Sequence, residues 1–201
     1  DDVNSNAKAM NDFVFLVDNS GSMADEANAI ARDIIDWAKR LNQTLDVRFG
    51  CVGYDGEITG AINMTTYDNI AEYLNKYSGT NRTSHFGGDD SAYLNSKADN
   101  YFVSSMSDEC GMAALHCANG LFDFRNGANR IYVNFTDEYN YNDGESKYSV
   151  YYLSSQYNWD TTSGTIHTVY SSLSTSTSET TYYEKPWRMS EFTGGSILYT
   201  S

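Results

Sequence analysis

The chain has 201 residues, 40% of them hydrophobic and 20% charged, with a formal net charge of −14. That length suffices for a full core, and one domain over 1–201, ordered from about 12 to 200, is expected. The acidic balance excludes nucleic acid and anionic membrane as main partners, because phosphate binding needs a positive field, and no run of about 18 apolar residues offers a membrane span.

Residues 1–11 are polar and read as a lead-in. The chain opens at Asp1 rather than Met and shows no signal peptide, which fits a processed or trimmed chain. Phe13-Val-Phe-Leu-Val17 is a first strand, and it ends abruptly in Asp18-Asn-Ser20-Gly-Ser22-Met23. Asp25 and Glu26 suit a helix start. Ala27, Ile30, Ala31, Ile34, Ala38 and Leu41 then recur at helical spacing. A second strand is predicted over 46–54, a tight turn at Asp55-Gly56 and a partner strand over 58–64, together a hairpin. Residues 68–77 predict a short helix with Ile70, Leu74 and Tyr77 inward.

Residues 78–107 are rich in Ser, Asn, Asp and Gly and too long for an ordinary connection, so they are expected to be a functional top-face insert. A helix is predicted over 109–122, with Met112, Leu115, Ala118 and Leu121 or Phe122 as its stripe. A strand over 130–135 ends in Thr136-Asp137-Glu138. A polar loop over 139–146, a weaker helix near 147–157 and a strand over 165–170 follow. The Ser/Thr run 171–181 reads as a solvated loop. Pro186 marks a last helix start and Gly194-Gly195 its stop, before a short strand over 196–199.

Three cysteines, Cys51, Cys110 and Cys117, exclude a fully paired intrachain framework. Seven residues on a regular helix span roughly 10 Å, too far for a Cys110–Cys117 disulfide, so a bridge would need an irregular first turn or Cys51 as partner. The three His, at 85, 116 and 167, lack zinc-ligand spacing with the cysteines.

The strand and helix directions bring the clusters 18–22, 108–109 and 137–138 to one face, that of the strand C-termini. Ligands bind there in open α/β sheets. The predicted fold is α/β: a doubly wound, mostly parallel Rossmann-like sheet with one antiparallel edge strand and helices on both faces. Asp18, Ser20 and Ser22 offer hard oxygen donors, which suit Mg²⁺, Mn²⁺ or Ca²⁺ rather than Zn²⁺.

Asp-x-Ser-x-Ser after an apolar strand resembles the first metal loop of a von Willebrand factor A domain, the opening of its metal-ion-dependent adhesion site (MIDAS). Thr136-Asp137 resembles the third loop, and Phe192-Thr-Gly-Gly-Ser-Ile-Leu-Tyr the last helix-to-strand step. The second loop departs from the commonest form. Ser107-Asp-Glu109-Cys-Gly-Met-Ala-Ala-Leu115 looks like the integrin β-subunit variant, in which Glu replaces Thr. The resemblance thus favours Glu109, then Asp108, then Thr83, with Asp89 or Asp90 weaker.

By resemblance, Asp18, Ser20 and Ser22 hold the cation directly, and Glu109 and Asp137 directly or through water. Asp25 and Glu26 resemble a possible second cation site, with helix capping as the plainer role. The resemblance implies a protein partner that fills an open metal position with a carboxylate, read by a rim of Asn19, Tyr139, Tyr141 and the insert. The alternatives are a scaffold of a larger surface protein whose metal is structural or vestigial, and a metal-dependent hydrolase. Nothing in the sequence requires an enzyme: no Gly-x-Ser-x-Gly elbow is present. Sequons at Asn42, Asn63, Asn81 and Asn134 fit an extracellular or cell-surface setting, although Asn134 falls in a core strand.

Overall fold

The computed structural model describes residues 8–76, 106–171 and 178–200. β1 (Met10–Asp18), built around the apolar run Phe13–Val17, forms the middle of the sheet and is buried from Asp12 onward. A strand so apolar has both faces covered, as in parallel sheets. β1 pairs in parallel with β2 (Asp46–Tyr54) on one side and β4 (Asn129–Thr136) on the other. β3 (Ile58–Thr65) adds an antiparallel edge through the predicted hairpin. β6 (Thr165–Tyr170) and β8 (Ile197–Tyr199) complete the order β3-β2-β1-β4-β6-β8. The predicted doubly wound α/β class is the observed one.

The period of two sorts each strand between two cores. Phe13, Phe15 and Val17 join Phe49, Cys51 and Val133 under α1 (Ala27–Thr44) and α2 (Tyr67–Asn75). α1 buries Ala27, Ala31, Ile34 and Ala38, the face its spacing predicts. Val14 and Leu16 join Val52, Tyr54 and Tyr132 under α3 (Gly111–Leu121), α4 (Tyr152–Ser155) and α5 (Arg188–Thr193). α3 is buried all round from Gly111 to Ala118 rather than along one stripe. It lacks a polar face because both the sheet and the 146–155 segment cover it.

Three boundaries differ from expectation. α3 starts at Gly111, because Cys110 is extended and its N–H donates to Asp55 O at 3.2 Å, which pulls Glu109 out of the helix. The predicted helix over 147–157 is a 3-10 turn, Ser146–Tyr148, followed by α4. The predicted loop 139–146 contains β5 (Asn140–Tyr141), which pairs antiparallel with β7 (Tyr183–Glu184). Glu184 fixes this ribbon: its buried carboxylate accepts from Asn140 Nδ2 (2.7 Å), Ser149 Oγ and Val150 N.

α5 ends at Gly194 in the left-handed conformation (φ 75°), the predicted stop. All three cysteines are buried, and none is in a disulfide. Asn134 is also buried and accepts from the Tyr54 hydroxyl, so its sequon is a core element. Among the described residues no helix is long and apolar enough to cross a membrane. Most of the 78–107 insert, with Asn81, Thr83, His85, Asp89 and Asp90, lies outside the described residues, as do Tyr77 and 172–177.

Candidate metal centre

On the α3 face, the side-chain columns of three strands turn polar at their C-terminal ends. Val14 and Leu16 lead to Asp18, Tyr132 and Asn134 lead to Thr136, and Val52 leads to Tyr54. Parallel register sets these ends side by side, with Asp18 opposite Tyr54 and Val17 opposite Phe135. Asp18 is 1% exposed. Its Oδ1 accepts from Ser20 N at 2.9 Å, an Asx turn, and its Oδ2 from Thr136 Oγ1 at 2.8 Å.

The first loop then curls back in a 3-10 turn, Gly21–Met23. Ser20 Oγ and Ser22 Oγ lie 2.9 Å apart, and Ser22 Oγ donates to Asp137 Oδ1 at 3.1 Å. Loops one and three are thereby joined. The second loop is tied in through its backbone. Cys110 N donates to Asp55 O, Met106 N to Gly56 O at 3.1 Å, and Tyr141 N to Glu109 O at 2.8 Å. A Cβ at Gly56 would stand 2.3 Å from Met106 O, so only glycine lets the 106–108 segment cross this turn.

Glu109 is 8% exposed, and its Oε2 has no hydrogen-bond partner among the described residues. Burial, the hydrogen bond with Asp108 and the charge of Asp18 push its carboxyl up to about 9. Burial also pushes Asp18 up to about 7, against the opposing hydrogen bonds from Ser20 and Thr136 and with the charge of Asp137 adding to the rise. Glu138 is raised by burial and by the charges of Asp137 and Asp108. Mutual repulsion and an orphaned carboxylate oxygen make this a place that lacks positive charge.

A hard divalent cation fits that deficit: two hydroxyls and several carboxylate oxygens are its preferred donors. The cluster is mixed, and among the described residues no three His, Cys, Asp or Glu side chains converge as a ready-made cage. The predicted residues Asp18, Ser20, Ser22, Asp108, Glu109 and Asp137 are all drawn into this one neighbourhood.

Other predicted residues are placed differently. Asn19 is 2% exposed and donates to Thr59 Oγ1 at 3.2 Å, which pins loop one to β3 instead of forming a rim. Tyr141 is buried too, its hydroxyl donating to Asp143 at 2.9 Å. Tyr139 is half-buried against the Tyr183 ring. Asp25 is exposed, and Glu26 lines a cavity with Met23, Ile30, Val169 and Thr200. Glu26, the residue preceding α1, makes no side-chain capping bond.

Sequence reasoning missed Tyr54 and Asn134, which underlie Asp18. The signal was present: Asn134 and Thr136 follow Tyr132 on one face of β4. Neither His116 nor His167 is directed at Ser20 or Ser22. His116 is held by Tyr157 Oη and Lys147 O, and His167 accepts from Ser196 N.

The sequence matches the von Willebrand factor type A domain family over residues 12–159. No curated protein matches it. Among solved structures, it is similar to an aerotolerance-related membrane protein from Bacteroides fragilis, at 13% identity and a TM-score of 0.53 over 95% of this chain and 92% of that one. It is also similar to proximal thread matrix protein 1 from the mussel byssus, at 12% identity and a TM-score of 0.53. A form of that protein with a zinc-occupied MIDAS motif gives 11% identity and a TM-score of 0.50 over 97% of this chain. The chain spans 44% of the byssus protein's length. At such identities the likeness is one of fold, but the family match covers most of the sequence: this chain belongs to the von Willebrand factor type A domain family.

Proposed function

We propose that this domain is a divalent-cation-dependent binding and adhesion module for a protein partner. One observation carries the reading: the buried, unpartnered Glu109 Oε2 beside a buried Asp18 whose loop presents paired hydroxyls. Asp18, Ser20 and Ser22 would hold Mg²⁺, or Mn²⁺ or Ca²⁺, with Glu109 and Asp137 directly or through water and Asp108 as the reserve acid. A bound cation supplies a Lewis-acidic position for a partner's carboxylate. Asp25 is exposed and Glu26 lines the cavity with Met23 and Val169, which none of these ligands lines, so one cation is expected.

A purely structural metal explains less, because the loops are already fastened without one. Thr136 bonds Asp18, Ser22 bonds Asp137 and Tyr141 bonds Glu109. The setting that suits an adhesive role is extracellular or cell-surface.

The test is calorimetric titration of Mg²⁺, Mn²⁺ and Ca²⁺ into chelator-stripped protein beside a Ser20→Ala/Ser22→Ala variant. The parent should bind one cation, and the variant should lose it while keeping its circular dichroism. Equal binding by both proteins, or none by the parent, sinks the proposal.

A further inference from the structure

Helix α3 starts on a residue that does not cap it. Cys110 holds the N-cap position and makes no side-chain capping bond. Good caps are short side chains whose oxygen accepts a free N–H of the first turn. Here that oxygen comes from a different loop: Asn140 Oδ1 accepts from Met112 N at 3.0 Å. The next residue, Tyr141, donates its N–H to Glu109 O at 2.8 Å. Two consecutive residues of β5 therefore bracket the segment 109–112 that carries Glu109. They belong to the same stretch of chain that carries Asp137. β5 thus sets the second metal loop against the third.

The external cap requires one orientation of the Asn140 amide. Its Nδ2 donates to Glu184 Oε2 at 2.7 Å and to Tyr148 O at 3.0 Å, which turns Oδ1 towards Met112. An ionised acceptor holds such an amide about twice as strongly as a neutral one. Glu184 is itself buried, and its oxygens are satisfied by Asn140, Ser149 Oγ and Val150 N. A two-residue ribbon could be closed by an apolar side chain without the cost of burying a carboxylate. We propose that Glu184 is a positioning residue of the cation centre. It orients Asn140, Asn140 caps α3 from outside, and the capped helix start sets where the Glu109 carboxylate stands. The inference rests on the cation-binding reading above and extends its machinery to the C-terminal ribbon.

The experiment pairs calorimetric titration of Mg²⁺ with thermal melting in chelator, on the parent and on single variants. Glu184→Ala should weaken Mg²⁺ binding about ten-fold or more, the usual effect of removing a group that orients a metal ligand. Asn140→Ala removes the cap itself and should show the same loss. Glu184→Gln still offers an oxygen to Asn140, with its amide turned to Ser149, and should bind as the parent does. Ser149→Ala takes a different bond from Glu184 and leaves Asn140 untouched. It should melt lower than the parent and bind Mg²⁺ equally well. A role confined to supporting the ribbon would instead make affinity follow melting temperature through all the variants, and that result overturns the inference. So does parent-like binding by Glu184→Ala or Asn140→Ala. NMR of the isotope-labelled parent keeps the test independent of how the variants fold. Saturating Mg²⁺ should shift the Met112 N–H and Asn140 side-chain amide signals, and unmoved signals overturn the inference. A parent that binds no cation refutes the cation reading itself. A parent that binds beside indifferent variants overturns only the role of Glu184.

Discussion

Glu109→Gln should change the domain's stability in opposite directions with and without metal. In chelator the parent keeps a buried carboxylate oxygen with no partner beside Asp18. An unsatisfied buried polar group costs about 1–3 kcal/mol, and glutamine replaces it with an amide that can donate to the neighbouring acids. The variant should therefore melt about 2–10 °C above the parent for a domain of this size. At about 100 times its dissociation constant, a cation adds about 2.7 kcal/mol to a protein that binds it, or roughly 5–10 °C. The parent should gain this and the variant little of it, so the order narrows or reverses. The pH dependence has a definite sign. Glu109 is raised from 4.5 to about 9 in the fold, so the metal-free parent is more stable in acid and loses that advantage as pH rises through this window. The variant should show a shallower slope. Differential scanning calorimetry of both proteins in chelator and in Mg²⁺ reads all of this. A variant less stable than the parent in chelator, or a parent unmoved by any divalent ion, refutes the reasoning.

Gly56→Ala should weaken cation affinity by about ten-fold or more while costing about 1–3 kcal/mol, because the new methyl meets Met106 O and must displace the loop that carries Asp108 and Glu109. Calorimetry with Mg²⁺ checks the first effect and urea unfolding the second. Asp12→Ala should cost about 1–3 kcal/mol in urea unfolding, because at the other end of the sheet it leaves the Arg125 backbone N–H without its acceptor and takes one of two carboxylates from a guanidinium that keeps Asp46. Cation affinity of the folded variant should be unchanged. His116 is lowered below 6.5 by burial. The stability it contributes as a neutral ring is thus present above that pH and lost as pH falls through its folded value. The melting temperature of the parent should fall relative to His116→Gln on acidification, and parallel curves would refute this role.

The sheet was legible because its strands are short apolar runs with abrupt ends, and the α1 face because small and branched residues recur at helical spacing. Both patterns follow from burial alone. What escaped depends on partners distant in sequence. Two-residue strands such as β5 and β7 carry no periodicity, and the Glu184 carboxylate that fixes them is invisible until residues 140, 149 and 150 are beside it. Glu109 reads as helical by local pattern, but a hydrogen bond from Cys110 to the Asp55 carbonyl removes it from the helix. Asn19 and Tyr141 look like loop surface by composition, yet Asn19 Nδ2 reaches Thr59 on the neighbouring strand and the Tyr141 hydroxyl turns in to Asp143, partners that composition does not supply.

β1 carries a buried acid near each end, and the contrast between the two is informative. Asp12 and Asp18 lie on the same face of one strand, both essentially inaccessible to water. Asp12 is saturated from within the chain: the Arg125 side chain and backbone N–H both donate to it. Asp18 receives only a backbone N–H and a threonine hydroxyl, and its charged neighbours are acids. A fold that needed only to close the ends of its sheet could have used a basic residue at both. Here the chain supplies a cation at the N-terminal end of β1 and, among the described residues, none at the C-terminal end. There the hydroxyls of Ser20 and Ser22 stand beside buried carboxylates instead. An uncompensated cluster of that kind lowers the stability of the metal-free domain, and a cation taken from solution is the simplest agent that removes the deficit.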